Sequence, residues 1–291
     1  MGNIAGGLPA AGSRTRMAAL GSGCETVRYV DTQAVLELMQ DVAAQVITPR
    51  FRALAGGEVM EKKPGDLVTV ADREAEVLIT EALLADDPSV LVVGEEATSA
   101  DDGLLGRLAT ADHAYTVDPV DGTKNFVHGR AEHAVMVSEL RRGETVRAWI
   151  WQPELGHAYV AERGAGAFAD GVRLGSAWPG EDVDPASLRV LTSRPTHEGV
   201  HGDLRLDPSA WCCGVDYPWV VTGRAQAILY TNTFPWDHAP GSLFLEETGG
   251  VVRRPDGSGY RPGEYRPGGL LVAASPQVWD VVFPRVRHLM P

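Results

Sequence analysis

Cysteine is scarce in this chain. There are three in 291 residues, Cys24, Cys212 and Cys213, and the last two are adjacent. That set cannot build a disulfide framework, and no Cys-x-x-Cys pair exists to hold zinc. A reducing compartment, the cytoplasm, follows as the expected location. Positive charge is also short: 26 Lys and Arg stand against 39 Asp and Glu, a formal net charge of −13. Nucleic acid is therefore not expected as a partner, because phosphate polymers select basic surfaces. No stretch approaches the roughly 18 consecutive apolar residues of a membrane-crossing helix, so no membrane partner is expected. The N-terminal stretch has no continuous apolar core of the kind a signal peptide needs. Residues 1–30, rich in Gly, Ala, Ser and Arg, read as a disordered tail.

What is present suffices for a large core. The chain is 44% hydrophobic, and its length suggests about two domains or one large one. Helical spacing of Val35, Leu36, Met39, Val42, Val46 and Ile47 predicts a helix over 32–54, ended by Gly56-Gly57. A second helix is expected after Asp66-Leu67-Val68-Thr69-Val70-Ala71-Asp72. Val90 to Val93 reads as a buried strand reaching Gly94-Glu95-Glu96, and 97–111 as a loop with helical potential. Residues 131–168 carry short β-rich runs broken by turns, the pattern of an antiparallel meander. Residues 175–187 read as a linker, and 196–210 as a solvent-facing loop. A helix is expected over 238–248, stopped by Gly249-Gly250.

The informative feature is where the acids sit. Glu95-Glu96 ends one short apolar strand, Asp118 and Asp121 end another, and Asp237 opens a helix. Carboxylates at strand ends can converge on one point, where they repel each other until they bind cations or protonate. Oxygen ligands without His or Cys favour Mg²⁺ or Mn²⁺ over zinc. Within Asp118-Pro119-Val120-Asp121-Gly122-Thr123, Pro119 stiffens the turn and leaves the Val120 carbonyl free as a further ligand. Gly122 lets the backbone come close to an anion. Taken singly, each piece also reads as an ordinary turn, a solvated loop or a helix cap, and Thr69-x-x-Asp72 reads as a capping box.

Together, Gly94-Glu95-Glu96, Asp118 to Thr123 and Trp236-Asp237-His238-Ala239-Pro240-Gly241 resemble the three signatures of the inositol monophosphatase family. That family belongs to a lithium-sensitive, metal-dependent phosphatase superfamily with fructose-1,6-bisphosphatase. The resemblance extends to Asp66–Asp72, to Gly164-Ala165-Gly166-Ala167-Phe168 and to Glu247-Thr248-Gly249-Gly250, and covers about residues 33–275.

The resemblance implies an α/β fold, a layered α+β sandwich of alternating helices and sheets. A metal-binding part over 31–175 would precede a part over 176–291 that carries Asp237 and the specificity surface. It implies an Mg²⁺-dependent phosphatase acting on a small phosphate monoester of a sugar, cyclitol or related polyol, with about two or three ions per site and Mn²⁺ as a substitute. Glu95, Asp118 and the Val120 carbonyl would hold one metal, and Asp118, Asp121 and Asp237 a second, with a weaker third at Glu95. Asp72 and Thr123 would orient the attacking water. Asp121 and the Gly122 and Thr123 amides would face the phosphate. A homodimer and inhibition by lithium are further expectations.

Departures from the family pattern bear on the substrate. Inositol-preferring members carry a glutamate seven residues before the last metal-binding aspartate; here that place is Tyr230. Lys124 replaces a common threonine, and Cys213 falls where the family approaches its substrate. Histidinol phosphate or a 3′-phosphorylated nucleotide is the alternative substrate, and a non-catalytic binding or regulatory protein is the rival class.

Overall fold

The computed structural model describes residues 31–178, 180 and 183–290. The tail expected over 1–30, with Cys24, lies outside the described residues.

Helix α1 (Thr32–Val42) buries Val35, Leu36, Met39 and Val42 on one face, and Asp31 caps it by accepting from the Gln33 amide. A wider turn (Ala43–Ile47) and a tighter one (Thr48–Arg50) prolong it. It stops short of the expected Leu54. Pro49 has no amide to bond backwards, and Arg52 takes a left-handed φ of 58°. A hairpin of β1 (Val59–Lys63) and β2 (Asp66–Thr69) leads into α2 (Val70–Asp86).

A seven-stranded sheet follows: β3 (Leu91–Gly94), β4 (His113–Asp121), β5 (Ala134–Arg141), β6 (Glu144–Gln152), β7 (His157–Glu162), β8 (Gly166–Ala169) and β9 (Val172–Arg173). Spatial order equals chain order; β3 and β4 are parallel and every later pair is antiparallel. The expected meander is thus present. The segment 97–111, expected as a loop with helical potential, forms two short helices, α3 (Glu95–Ala100) and α4 (Gly103–Leu108). Leu104 and Leu108 bury themselves against Val93 and Leu140, which gives that stretch a core of its own. Helix α5 (Thr123–Val127) is a single turn after β4.

A six-stranded sheet comes next. It contains β10 (Val190–Thr192), β11 (Gly199–His201), β12 (Leu204–Pro208), β13 (Ala227–Tyr230), β14 (Val251–Arg253) and β15 (Leu270–Ala273), in the order β11-β12-β10-β13-β15-β14. The solvent-facing loop expected over 196–210 is therefore corrected. Leu204 and Leu206 are buried and alternate with outward Arg205, a strand pattern that pairs with β10. Three helices complete the chain: α6 (Cys213–Val221), α7 (Pro235–Glu247) and α8 (Pro276–Val286).

Side-chain alternation stacks these elements in five layers. Val135 and Val137 of β5 face α1 and α2, in a core with Tyr115 and Trp149. Ala134 and Met136 of the same strand face the opposite side, with Tyr217 of α6 and Leu243 and Phe244 of α7. That middle helical layer also packs on Ile228, Leu270 and Val272 of the second sheet. The far face of that sheet, through Leu229, Leu271 and Ala273, packs on Val278, Trp279 and Val282 of α8. Helix, sheet, helix, sheet, helix is the layered α/β sandwich expected.

Candidate active site

β4 carries two of the acids because its ladder breaks. Asp118 pairs opposite Met136 and Asp121 opposite Ala134, so three steps on β4 match two on β5. Pro119 cannot donate to the ladder, and the bulge re-aims both aspartates. The helical layer brings in Asp237, in the first turn of α7. Carboxylate oxygens of Asp118, Asp121 and Asp237 all lie within 4.8 Å of one another.

Burial raises all three, and repulsion from acidic neighbours adds to it at Asp118 and Asp237. Asp118 and Asp237 are pushed well above the ordinary carboxylate range by burial and by their acidic neighbours. Asp121 rises to about 6 through burial, although the Gly214 amide at 2.5 Å and the Cys212 thiol at 3.0 Å pull the other way. Three oxygen ligands so placed, two of them buried, favour a hard divalent cation, which relieves both desolvation and repulsion. A second grouping, Cys213, Asp237 and His238, has the same spacing. It fits a metal poorly: burial holds the Cys213 thiol protonated, and both His238 nitrogens are engaged.

Glu95 stands close enough that its charge raises Asp118. It opens α3, and its carboxylate reaches Lys62 of β1 at 2.7 Å, as does that of Glu96. Glu95 itself is raised to about 7 by burial, against the pull of Lys62. Burial alone would lower Lys62, but the two glutamates hold it above its ordinary value. Below them, Glu76 of α2 accepts from the Glu96 and Ala97 amides at 2.8 and 2.7 Å. These are free donors of the first turn of α3, so Glu76 fixes the helix that presents Glu95. The sequence reading missed both Lys62 and Glu76. The signal for Glu76 was a charged residue on the helix face that carries Ala71, Ala75, Ile79 and Leu83.

Asp72 and Thr123 meet across the site. The Thr123 hydroxyl lies 3.0 Å from Asp72 Oδ1 and 3.1 Å from the Val120 carbonyl. That carbonyl, expected to be free, is thus already an acceptor. Asp72 Oδ2 takes the Thr69 amide and hydroxyl, so the capping box exists alongside the contact with Thr123. Burial raises Asp72 to about 6 against those bonds. Gly122 sits at φ 82°, and a Cβ there would lie 2.9 Å from the Glu132 carbonyl, so only glycine fits this turn.

A hydrogen-bonded chain anchors Asp237. The Tyr217 hydroxyl lies 3.0 Å from His238 Nδ1, His238 Nε2 lies 2.5 Å from Asn232 Oδ1, and the Asn232 amide donates to Asp237 Oδ2 at 3.0 Å. Burial holds His238 down at about 3, so it is neutral, and the chain reads in one direction with the proton on Nε2. Asn232 and Tyr217 were not expected from the sequence.

Next to the acids opens a cavity of about 510 Å³, lined by Lys124, Trp211, Cys213, Asp216 and Tyr230 together with Asp121. All three residues expected to face the substrate are there. Cys212 is not at its wall alone but bonded to Asp121, with its thiol raised by burial and by that carboxylate. Asp216 is the residue the sequence reading did not single out: it is wholly buried and raised to about 7 by burial.

The family model described as the inositol monophosphatase family matches residues 28–288. An inositol-1-monophosphatase of Rhizobium meliloti is 32% identical over 226 residues, 75% of this chain and 83% of its own. A putative Nus factor SuhB of Neisseria meningitidis serogroup A is 29% identical over 226 residues, 73% of this chain and 81% of its own. The solved structure of an IMPase/NADP phosphatase complexed with Mg²⁺ and phosphate matches with a TM-score of 0.70 at 19% identity. It covers 88% of this chain and 95% of its own, a likeness of fold.

Proposed function

The chain belongs to the inositol monophosphatase family, and from that premise we propose that it hydrolyses a small phosphate monoester with Mg²⁺ at the Asp118–Asp121–Asp237 cluster. The observation that carries this reading is the convergence of two buried carboxylates and the half-buried Asp237 within 4.8 Å, with Glu95 beside them. Glu95, Asp118 and the Val120 carbonyl would hold one ion, and Asp118, Asp121 and Asp237 another. Mn²⁺ has the same preference for oxygen donors. The bound ions would supply charge that accepts the phosphate dianion and stabilises the attacking and leaving oxygens.

The chain's own residues do the rest. Asp72 holds the Thr123 hydroxyl, and that pair orients the attacking water and takes up its proton at Asp72 Oδ1. The Gly122 and Thr123 amides, at the start of α5, would face the phosphate oxygens beside Asp121. Lys124, Tyr230 and Cys213 would meet the alcohol half. Tyr230 stands where inositol-preferring members carry glutamate, which turns the preference toward an alcohol other than inositol. A non-catalytic role on the same fold finds no support in the residues: every expected acid is in place.

The test is phosphate release with Mg²⁺ across inositol, hexose, pentose, histidinol and 3′-nucleotide monoesters, with Asp121→Asn as the blank. Metal-dependent turnover absent from the blank is the expected result. Silence across the panel from folded, metal-binding protein would favour the non-catalytic role.

A further inference from the structure

The wall of the cavity beside the acids carries a large aromatic side chain that the fold leaves partly uncovered. Trp211 lines the cavity and is 42% exposed, and no other tryptophan among the described residues is as open. Its backbone takes a left-handed φ of 53°. A bulky side chain is rarely held in that conformation, and strain of this kind gathers at binding sites. The Ser209 hydroxyl accepts from the Trp211 amide at 2.9 Å, and Asp216 Oδ1 accepts from the Ala210 amide at 2.8 Å, so the turn is fixed from both sides. The Arg130 guanidinium lies over the indole, 5.9 Å from its ring centre, which gives the ring a set place as well.

The sheet explains why that ring stands at a binding cavity. β10 runs parallel to both β12 and β13, so all three strands end on the same side. Thr192 of β10 pairs with Pro208 of β12, and the chain runs on from each, to Pro195 and to Trp211, at the cavity wall. β13 ends at Tyr230 on the same wall. Crevices outside the carboxyl ends of parallel strands are where such sheets receive ligands.

The polar side chains of the wall narrow what the ring can receive, because most are already engaged. Ser193 donates to the Leu229 carbonyl at 3.4 Å. Asn232 donates to Asp237 and meets His238 through its carbonyl. The Tyr230 hydroxyl and the Asp216 carboxyl are bonded to each other. Asp121 and Asp237 would be taken by metal. Thr231 and Lys124 are what remains for substrate hydroxyls. A cyclitol or hexose brings several hydroxyls out of water, and each left unmatched is costly. A flat ring needs no such partners: it stacks on the indole through its face.

Resting on the phosphatase reading above, we propose that Trp211 sets the specificity of this cavity, as the platform on which a planar aromatic ring of the substrate's alcohol half stacks while the phosphate meets the metals.

The test reads binding apart from turnover. Phenylalkyl phosphonates of graded length, with cyclohexylalkyl and polyhydroxyalkyl phosphonates matched to them, are titrated calorimetrically into the full chain with Mg²⁺. At the best length the phenyl compound should bind about tenfold tighter or more than the polyhydroxy one, the scale of ring stacking on an aromatic side chain. Over the cyclohexyl compound, which matches its apolar bulk but is not flat, the gain should be about threefold or more. Trp211→Gly suits the left-handed backbone and so should fold. In that variant the phenyl-to-cyclohexyl ratio should fall close to one, and in Trp211→Tyr, which restores a ring, it should return. Equal binding of the three compounds by the parent chain, binding of none, or a ratio kept in Trp211→Gly overturns the proposal. Failure of the phosphatase reading shows separately, as no Mg²⁺-dependent phosphate release from any member of the monoester panel.

Discussion

A Cβ placed on Gly94 would lie 2.3 Å from the carboxyl carbon of Glu76. The glycine at the end of β3 therefore leaves the space in which Glu76 reaches the first turn of α3, and Glu95 depends on both. Gly94→Ala should destabilise the fold by about 1–3 kcal/mol, the usual cost of overpacking. It should also weaken metal binding by displacing Glu95. Thermal melting and a Mg²⁺ titration check this; a variant with parent melting and parent metal affinity would contradict it.

Asn232 lines the cavity and donates to Asp237. Asn232→Ala leaves Asp237 without its orienting donor, and should weaken metal binding or activity by about 10–100-fold, the common cost of losing a ligand's supporting bond. The loss should shrink at high Mg²⁺. Metal dependence of phosphate release measures it, and an unchanged half-saturation would dismiss the anchoring role.

Thr123→Val keeps the shape of the side chain and removes the hydroxyl held by Asp72 and Val120. Turnover should fall by about 10²–10⁴-fold, the range for a lost proton-transfer group. Substrate affinity should change little. A rate near that of the parent would remove Thr123 from the chemistry.

Glu139 sits buried among His113, Arg141 and Arg147, with His113 Nε2 at 3.0 Å and Arg141 Nη2 at 2.9 Å. Burial would raise its carboxyl, but the bonds from His113 and Arg147 outweigh it and hold it at about 2, below the ordinary 4.5. The folded value is depressed, so this group's stabilisation is present above pH 4.5 and is lost as pH falls through 2. It amounts to on the order of 3 kcal/mol. Acid unfolding followed by circular dichroism should be less steep across that window in Glu139→Gln, and a curve of unchanged slope would count against the assignment.

Lithium should inhibit turnover at roughly millimolar concentration, because a small monovalent cation can take a hard oxygen site meant for a divalent one and leave its charge unmatched. Rates measured at limiting Mg²⁺ decide it, and indifference to lithium would argue against an exchangeable metal.

The motifs were legible in the sequence because each is local. The Asp118–Thr123 run contains its own turn chemistry, a proline that breaks the ladder and a glycine at φ 82°. A helix with a clear period, such as α1, could be read for the same reason. Amphipathic spacing is a property of consecutive residues. Reading failed where the pattern was short. Residues 97–111 and 196–210 have too few buried positions to show a period, and only packing against Val93 or pairing with β10 makes them helices and strands.

The sequence by itself determined the acids, their order and the residue types that favour hard cations. Tertiary structure alone decided which of them meet. Asp237 lies 116 residues after Asp121, and only the helical layer between the two sheets brings their oxygens within 4.8 Å. It also decided the partners of those acids: Lys62 on Glu95, Glu76 under α3, Asn232 on Asp237, and the Ala210 amide on Asp216. None of these has a motif, because a buried polar group is defined by what surrounds it, and those surroundings exist only once the chain has folded.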